Sequence, residues 1–239
     1  MTQFSYNLAA VRERLGAAAR RSGREVSAAA LMAVCKTQTV EAIRAAYEAG
    51  QRLFGENRVQ EFQEKSAQVR ELGSGSEGAR FHLIGHLQSN KTNSAAELFD
   101  AIDSVDSLHV MERLNLAAQR MGKVIPVLLE INIGGEAQKP GLPPDCTELN
   151  EILLAAPKFP GAQIRGLMTV PPYIEDPEKV RLYFRKLREL RDRIASRRLA
   201  AVGMDELSMG MSHDFEVAIE EGSTCVRVGT AIFGARNYA

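Results

Sequence analysis

Lys36 is the first charged residue after an apolar run, Ala30 to Cys35, that has the character of a strand buried on both faces. Most lysines so placed lay their stem along apolar surface and keep the head in water. Partial burial can also hold the amine neutral, and a neutral amine attacks aldehydes and ketones. Two later stretches bear on the choice. LSMGMSHDFEVAI, 207–219, offers a hydroxyl at Ser212 ahead of Asp214, Glu216 and an apolar helical pattern. Ser212 therefore reads either as an N-cap, worth about 1 kcal/mol, or as a donor to a bound anion. VRVGTAIFG, 226–234, closes a strand-like run with Gly229-Thr230. Glycine lets an anion approach the backbone, threonine adds a hydroxyl, and the turn that follows can present amides. The two stretches together favour a phosphate cradle more than either does alone. A lysine facing such a cradle is the arrangement pyridoxal phosphate needs, since its aldehyde condenses with an amine. Arg227 then faces the pyridine nitrogen. A guanidinium keeps its proton, so the ring nitrogen stays unprotonated and the ring is a poor electron sink. A class I aldolase that uses Lys36 without a cofactor is a further reading, and it predicts a colourless protein.

These residues must be brought to one place. Apolar strand-like runs fall at 30–35, 52–54, 80–84, 100–105, 124–131, 163–167, 206–208 and 224–228, and helical spacing is clear at 39–49, 57–71, 107–121, 145–155 and 177–196. An amphipathic helix, Tyr6 to Ser22, precedes them. Alternation of this kind predicts a parallel sheet with helical crossovers, and about eight units suit a closed (β/α)8 TIM barrel better than an open doubly wound sheet. No linker or composition shift appears, so residues 1–239 are expected to form one domain. In a barrel the C-terminal strand ends converge on one mouth. Those ends read Lys36, then Gly55-Glu56-Asn57, His86 with Ser89-Asn90, Asn132, Met168-Thr169, Ser208 to Ser212, and Arg227 to Thr230. NIGGEAQKPGL, 132–142, follows the fifth strand as a flexible loop or a flap over the mouth.

Several chemistries are excluded. Gly73-Ser74-Gly75-Ser76-Glu77-Gly78 fits the dinucleotide fingerprint literally but follows a helix and precedes a strand, the inverse of the required context. His82 and His86 lack the helix and glutamate of a zinc protease motif. Ser212-His213-Asp214 is no hydrolase triad, whose members converge from separate elements. With 30 basic and 30 acidic residues among 239 the chain shows no bias toward nucleic acid or acidic lipid. Its apolar runs are far shorter than the roughly 20 residues of a membrane span, and no secretory signal opens it. A cytoplasmic protein is expected, with Cys35, Cys146 and Cys225 as reduced thiols.

At these same residues the sequence closely resembles the pyridoxal phosphate homeostasis proteins. The segments that carry the resemblance are AVCKT, FGENRVQE, FHLIGHLQSNK, GLMTVPP, LSMGMSHDFEVAI and GSTCVRVGTAIFG, spread over nearly the whole chain. The resemblance implies a barrel of the alanine-racemase N-terminal type with pyridoxal 5'-phosphate as an internal aldimine on Lys36. It further implies Arg227 at the pyridine nitrogen, Ser212, Gly229 and Thr230 on the phosphate, and Asn57 near the ring. Cys35 stands where serine is commoner, Arg58 where an aromatic often follows GEN, and His213 where small or acidic residues are usual. Two readings follow: a non-enzymatic carrier and buffer, or a fold-type III racemase or decarboxylase. A racemase needs a second base on the opposite cofactor face, supplied by a further β-domain, and only nine residues follow Thr230. The carrier is therefore expected, as a monomer, with apo-enzymes that use the cofactor as partners.

Overall fold

The computed structural model describes residues 3–72 and 78–234. The elements in chain order are β1 (Ala30–Val34), α2 (Val40–Glu48), β2 (Leu53–Glu56), α3 (Val59–Val69), β3 (Arg80–Leu83), α4 (Thr92–Leu98), β4 (Ala101–Val105), α5 (Leu108–Arg120), β5 (Ile125–Glu130), α6 (Thr147–Ala155), β6 (Ala162–Met168), α7 (Pro177–Ser196), β7 (Val202–Met211), α8 (Phe215–Glu220), β8 (Cys225–Val228) and α9 (Thr230–Phe233), after an N-terminal α1 (Gln3–Arg21). All eight strands pair in parallel in sequence order, and β8 returns to β1 with Met32 opposite Arg227. This is a closed (β/α)8 barrel with the extra helix ahead of it. Most of the glycine-rich 73–78 segment lies outside the described residues.

The strands form where β-branched and aliphatic residues run without interruption, and the closed sheet buries them on both faces. β4 is buried along its whole length, and Leu83, Ile102 and Leu129 have no exposed surface. The helices turn one apolar stripe inward. On α7 that stripe is Val180, Phe184, Leu187, Leu190 and Ile194, at spacings of three and four. An aromatic stack fills the space between β2, β3 and α3, with ring centroids of Phe54 and Phe81 5.3 Å apart and those of Phe62 and Phe81 4.7 Å apart.

Two elements differ from their sequence signals. β7 runs ten residues, far beyond the expected 206–208, and its register shifts against both neighbours. Close approach to β6 makes this possible: a Cβ on Gly166 would lie 1.9 Å from the Glu206 carbonyl oxygen. α4 carries no clear signal, because its seven residues bury only Thr92, Ala95 and Ala96. α1 packs on α8 and α9 beside the β8–β1 seam, where Asn7 Nδ2 donates to the Ile232 carbonyl at 3.0 Å.

Candidate cofactor site

Lys36 lies one residue past Cys35 at the C-terminal end of β1, and Gly229-Thr230 lies at the same end of β8, its barrel neighbour. The closing pair of strands therefore brings together residues nearly 200 positions apart in sequence. Lys36, Gly229 and Thr230 line one small cleft with Val34, Gln38, Phe233 and Gly234. Thr230 opens α9, so its N–H and that of Ala231 precede any carbonyl within the helix that could accept them. Ser212 joins this group from β7's far end. Its Oγ accepts the Gly229 N–H at 3.2 Å, which commits that amide and leaves the hydroxyl's own proton to be donated elsewhere. Ser212 is not the N-cap of α8. Asp214 occupies that position, and its Oδ1 accepts the Met211 N–H at 2.6 Å.

Arg227 is a buried cation on β8, 3% exposed, and does not itself line the Lys36 cleft. Its guanidinium donates to Ser208 Oγ at 2.6 Å, within β7, and to the Thr169 carbonyl at 2.7 Å, just past β6. Burial lowers its pKa, opposed by the nearby Cys225, Asp103, Glu130 and Asp214. Glu130, at the end of β5, has no sequence signal to distinguish it from other strand residues. It is 5% exposed, its Oε2 has no hydrogen-bond partner, and burial aided by Asp106 pushes its pKa up to about 7 against the pull of Arg227 and His86.

Asn57, just past β2, belongs to a neighbouring part of the mouth. It lines a cleft of about 560 Å³ with Arg58, Gly85, His86, Gln88 and Lys91. A Cβ on Gly85 would fall 2.3 Å from the Asn57 carbonyl oxygen, so the β2 and β3 turns touch through backbone alone. Cys35 points away from solvent and donates its thiol to Glu56 Oε1 at 3.0 Å. His213 is exposed, with Nε2 2.8 Å from the Glu175 carbonyl and its ring against Tyr173. The 132–142 loop is organised around Asn132, whose Nδ2 donates to the carbonyls of Glu136 and Lys139.

A second cavity, of about 430 Å³, lies at the opposite, N-terminal end of the barrel. His82 and Asp103 pair there at 3.0 Å, and Arg165 lies 3.6 Å from Glu206. The charged groups that line it largely satisfy one another, and it shares no residue with the Lys36 cleft. No group of residues able to hold a metal ion occurs among the described residues. None of the described helices is long and apolar enough to cross a membrane.

Comparison with known proteins agrees with this fold. The family model for the alanine racemase N-terminal domain matches residues 6–237. A pyridoxal phosphate homeostasis protein of Aquifex aeolicus is 44% identical over 97% of this chain and 97% of its own length. PipY of Synechococcus elongatus PCC7942, solved with PLP bound, is 38% identical with a TM-score of 0.80, over 94% of this chain and all of that one. An alanine racemase of Clostridium difficile 630 shares the fold alone, at 16% identity and a TM-score of 0.71, with 57% of its chain covered. By fold, by sequence and by extent of match, the chain belongs to the pyridoxal phosphate homeostasis proteins of the alanine racemase N-terminal domain family.

Proposed function

We propose that this chain binds pyridoxal 5'-phosphate covalently through Lys36 and acts in the cytoplasm, as a monomer, to store the cofactor and pass it to apo-enzymes, without turning over amino acids. The observation that carries the reading is the cleft that Lys36 shares with the Gly229-Thr230 turn. When bound, the cofactor would supply an aldehyde able to condense with the Lys36 amine with loss of water.

The donor set fits the group. Thr230 and Ser212 offer hydroxyl protons, and the first amides of α9 offer N–H groups to phosphate oxygens. Gly229 contributes by fixing Ser212, since its own amide is committed there. Arg227 is held by Ser208 and Thr169 and sets a permanent cation where an electron-sink enzyme sets a carboxylate. Asn57, which lines the adjoining cleft, would lie nearest the ring. The chain-long match to a relative named for homeostasis also supports the carrier over a racemase, whose likeness is one of fold.

Purified protein loaded with the cofactor is expected to be yellow. Borohydride reduction and peptide mapping should then place the pyridoxyl group on Lys36. Label mainly on another lysine overturns the site. A panel of L- and D-amino acids in deuterated buffer separates carrier from enzyme: turnover in the ordinary range of about 1–10³ per second overturns the carrier. Activation of an apo-enzyme by the loaded protein, with free cofactor scavenged, supports it.

A further inference from the structure

The turn that presents Lys36 is held in a conformation its own residues disfavour. Thr37 has φ +62°, the left-handed region that a β-branched side chain rarely enters. Side chains of α3 and β2 oppose that strain. The Thr37 N–H donates to Glu61 Oε1. Lys65, one turn further along α3, donates to the carbonyls of Cys35 at 3.2 Å and Gln38 at 3.3 Å, so it brackets Lys36 and Thr37 on both sides. Lys65 is itself fixed by Glu56 Oε1 at 2.7 Å and Glu61 Oε1 at 3.4 Å. Three ammonium protons thus meet four acceptors, in a setting where the Lys65 side chain is 10% exposed and that of Glu56 is fully buried. Burial alone would lower the Lys65 pKa; Glu56 outweighs it, and the net shift is upward.

A surface turn needs none of this, because water satisfies its carbonyls and an ordinary conformation avoids the strain. A buried ion pair spent on two carbonyls that flank one lysine is explained if the position of that lysine matters. We propose that Glu61 and Lys65 are positioning residues for Lys36: they hold the Cys35–Gln38 turn in its strained form and so carry the Lys36 amine toward the Gly229-Thr230 turn. The proposal rests on the reading of Lys36 as the cofactor lysine.

The test loads wild type, Glu61→Gln, Lys65→Met and the double variant Thr37→Gly/Glu61→Gln with pyridoxal 5'-phosphate. It reads the dissociation constant, the fraction of Lys36 labelled after borohydride, and the thermal midpoint. Glu61→Gln is expected to weaken binding about tenfold or more and cut the labelled fraction, because a small misplacement of a reacting group is costly. Glycine enters the left-handed region without strain, so Thr37→Gly should restore most of the loss. Lys65→Met should reproduce the defect; should it fail to fold, Glu61→Gln and its rescue still decide. Wild-type affinity and labelling in Glu61→Gln overturns the proposal alone. So does a double variant that folds but stays as weak as Glu61→Gln. Label on a lysine other than Lys36 in the wild type overturns the site reading and this proposal with it.

Discussion

Thr230 stands exposed at the start of α9. Thr230→Val is therefore expected to leave the unfolding midpoint nearly unchanged while removing one donor to a charged oxygen. That loss is about 1.5–3 kcal/mol, or roughly tenfold or more in cofactor affinity, measurable by titration of the visible absorbance. Glu130 makes the opposite kind of prediction. Its folded pKa, about 7, lies above the usual carboxylate value, so its contribution to stability is complete at acid pH and is lost as pH rises toward 7. Glu130→Gln should remove that loss, with the variant gaining on wild type by up to about 3 kcal/mol between pH 5 and 8 in chemical denaturation. Equal pH dependence in the two proteins would show that Glu130 is paired or solvated. Lys36, Arg227 and Thr230 drew notice in sequence because each breaks an apolar strand or follows one. Glu130 did not, since a carboxylate at a strand end looks the same whether it meets water or a buried arginine. Lys65 sits mid-helix among polar neighbours, and nothing local separates it from a solvated lysine. Ser212 was ambiguous for a physical reason: an N-cap and an anion donor need the same short hydroxyl residue ahead of the same helix.

Among the elements, β7 carries the most constraint. Gly210, near its end, has φ +95°, and a Cβ there would sit 2.5 Å from that of Ala218. Gly210→Ala should therefore push α8 and the Ser212 loop away from β8. The expected result is a stability loss above about 2 kcal/mol with cofactor affinity falling in the same variant. An unchanged melting midpoint would refute this. The extent of β7 was hidden because Gly203, Asp205, Glu206 and Gly210 interrupt the apolar pattern that marks a buried strand. Those residues occur where the strand spans a close approach to β6, the rim of the lower cavity and the left-handed turn at Gly210. α7 was legible to the residue, since Asp176 caps it, Pro177 starts it and its apolar stripe never breaks.

At the level of the whole molecule, eight alternating units implied closure, but no local pattern names the strands that meet. The meeting of β1 with β8 depends on the accumulated twist and tilt of all the others. If the cleft that straddles that seam holds the cofactor, ligand binding should tighten it. Amide exchange in β1 and β8 is expected to slow on loading more than exchange in β4 and β5, and a uniform slowing would count against the placement of the cleft.

The same seam imposes an order on biosynthesis. Lys36 emerges from the ribosome among the first strands, whereas Thr230 is joined to the chain only after β8, so a nascent polypeptide owns the reactive amine long before it owns the anion cradle. If Lys36 is the cofactor lysine, through most of translation it would meet the aldehyde only weakly and reversibly. On that reading, firm capture would begin when the last strand docks against the first, and cofactor retention would report that the barrel has closed.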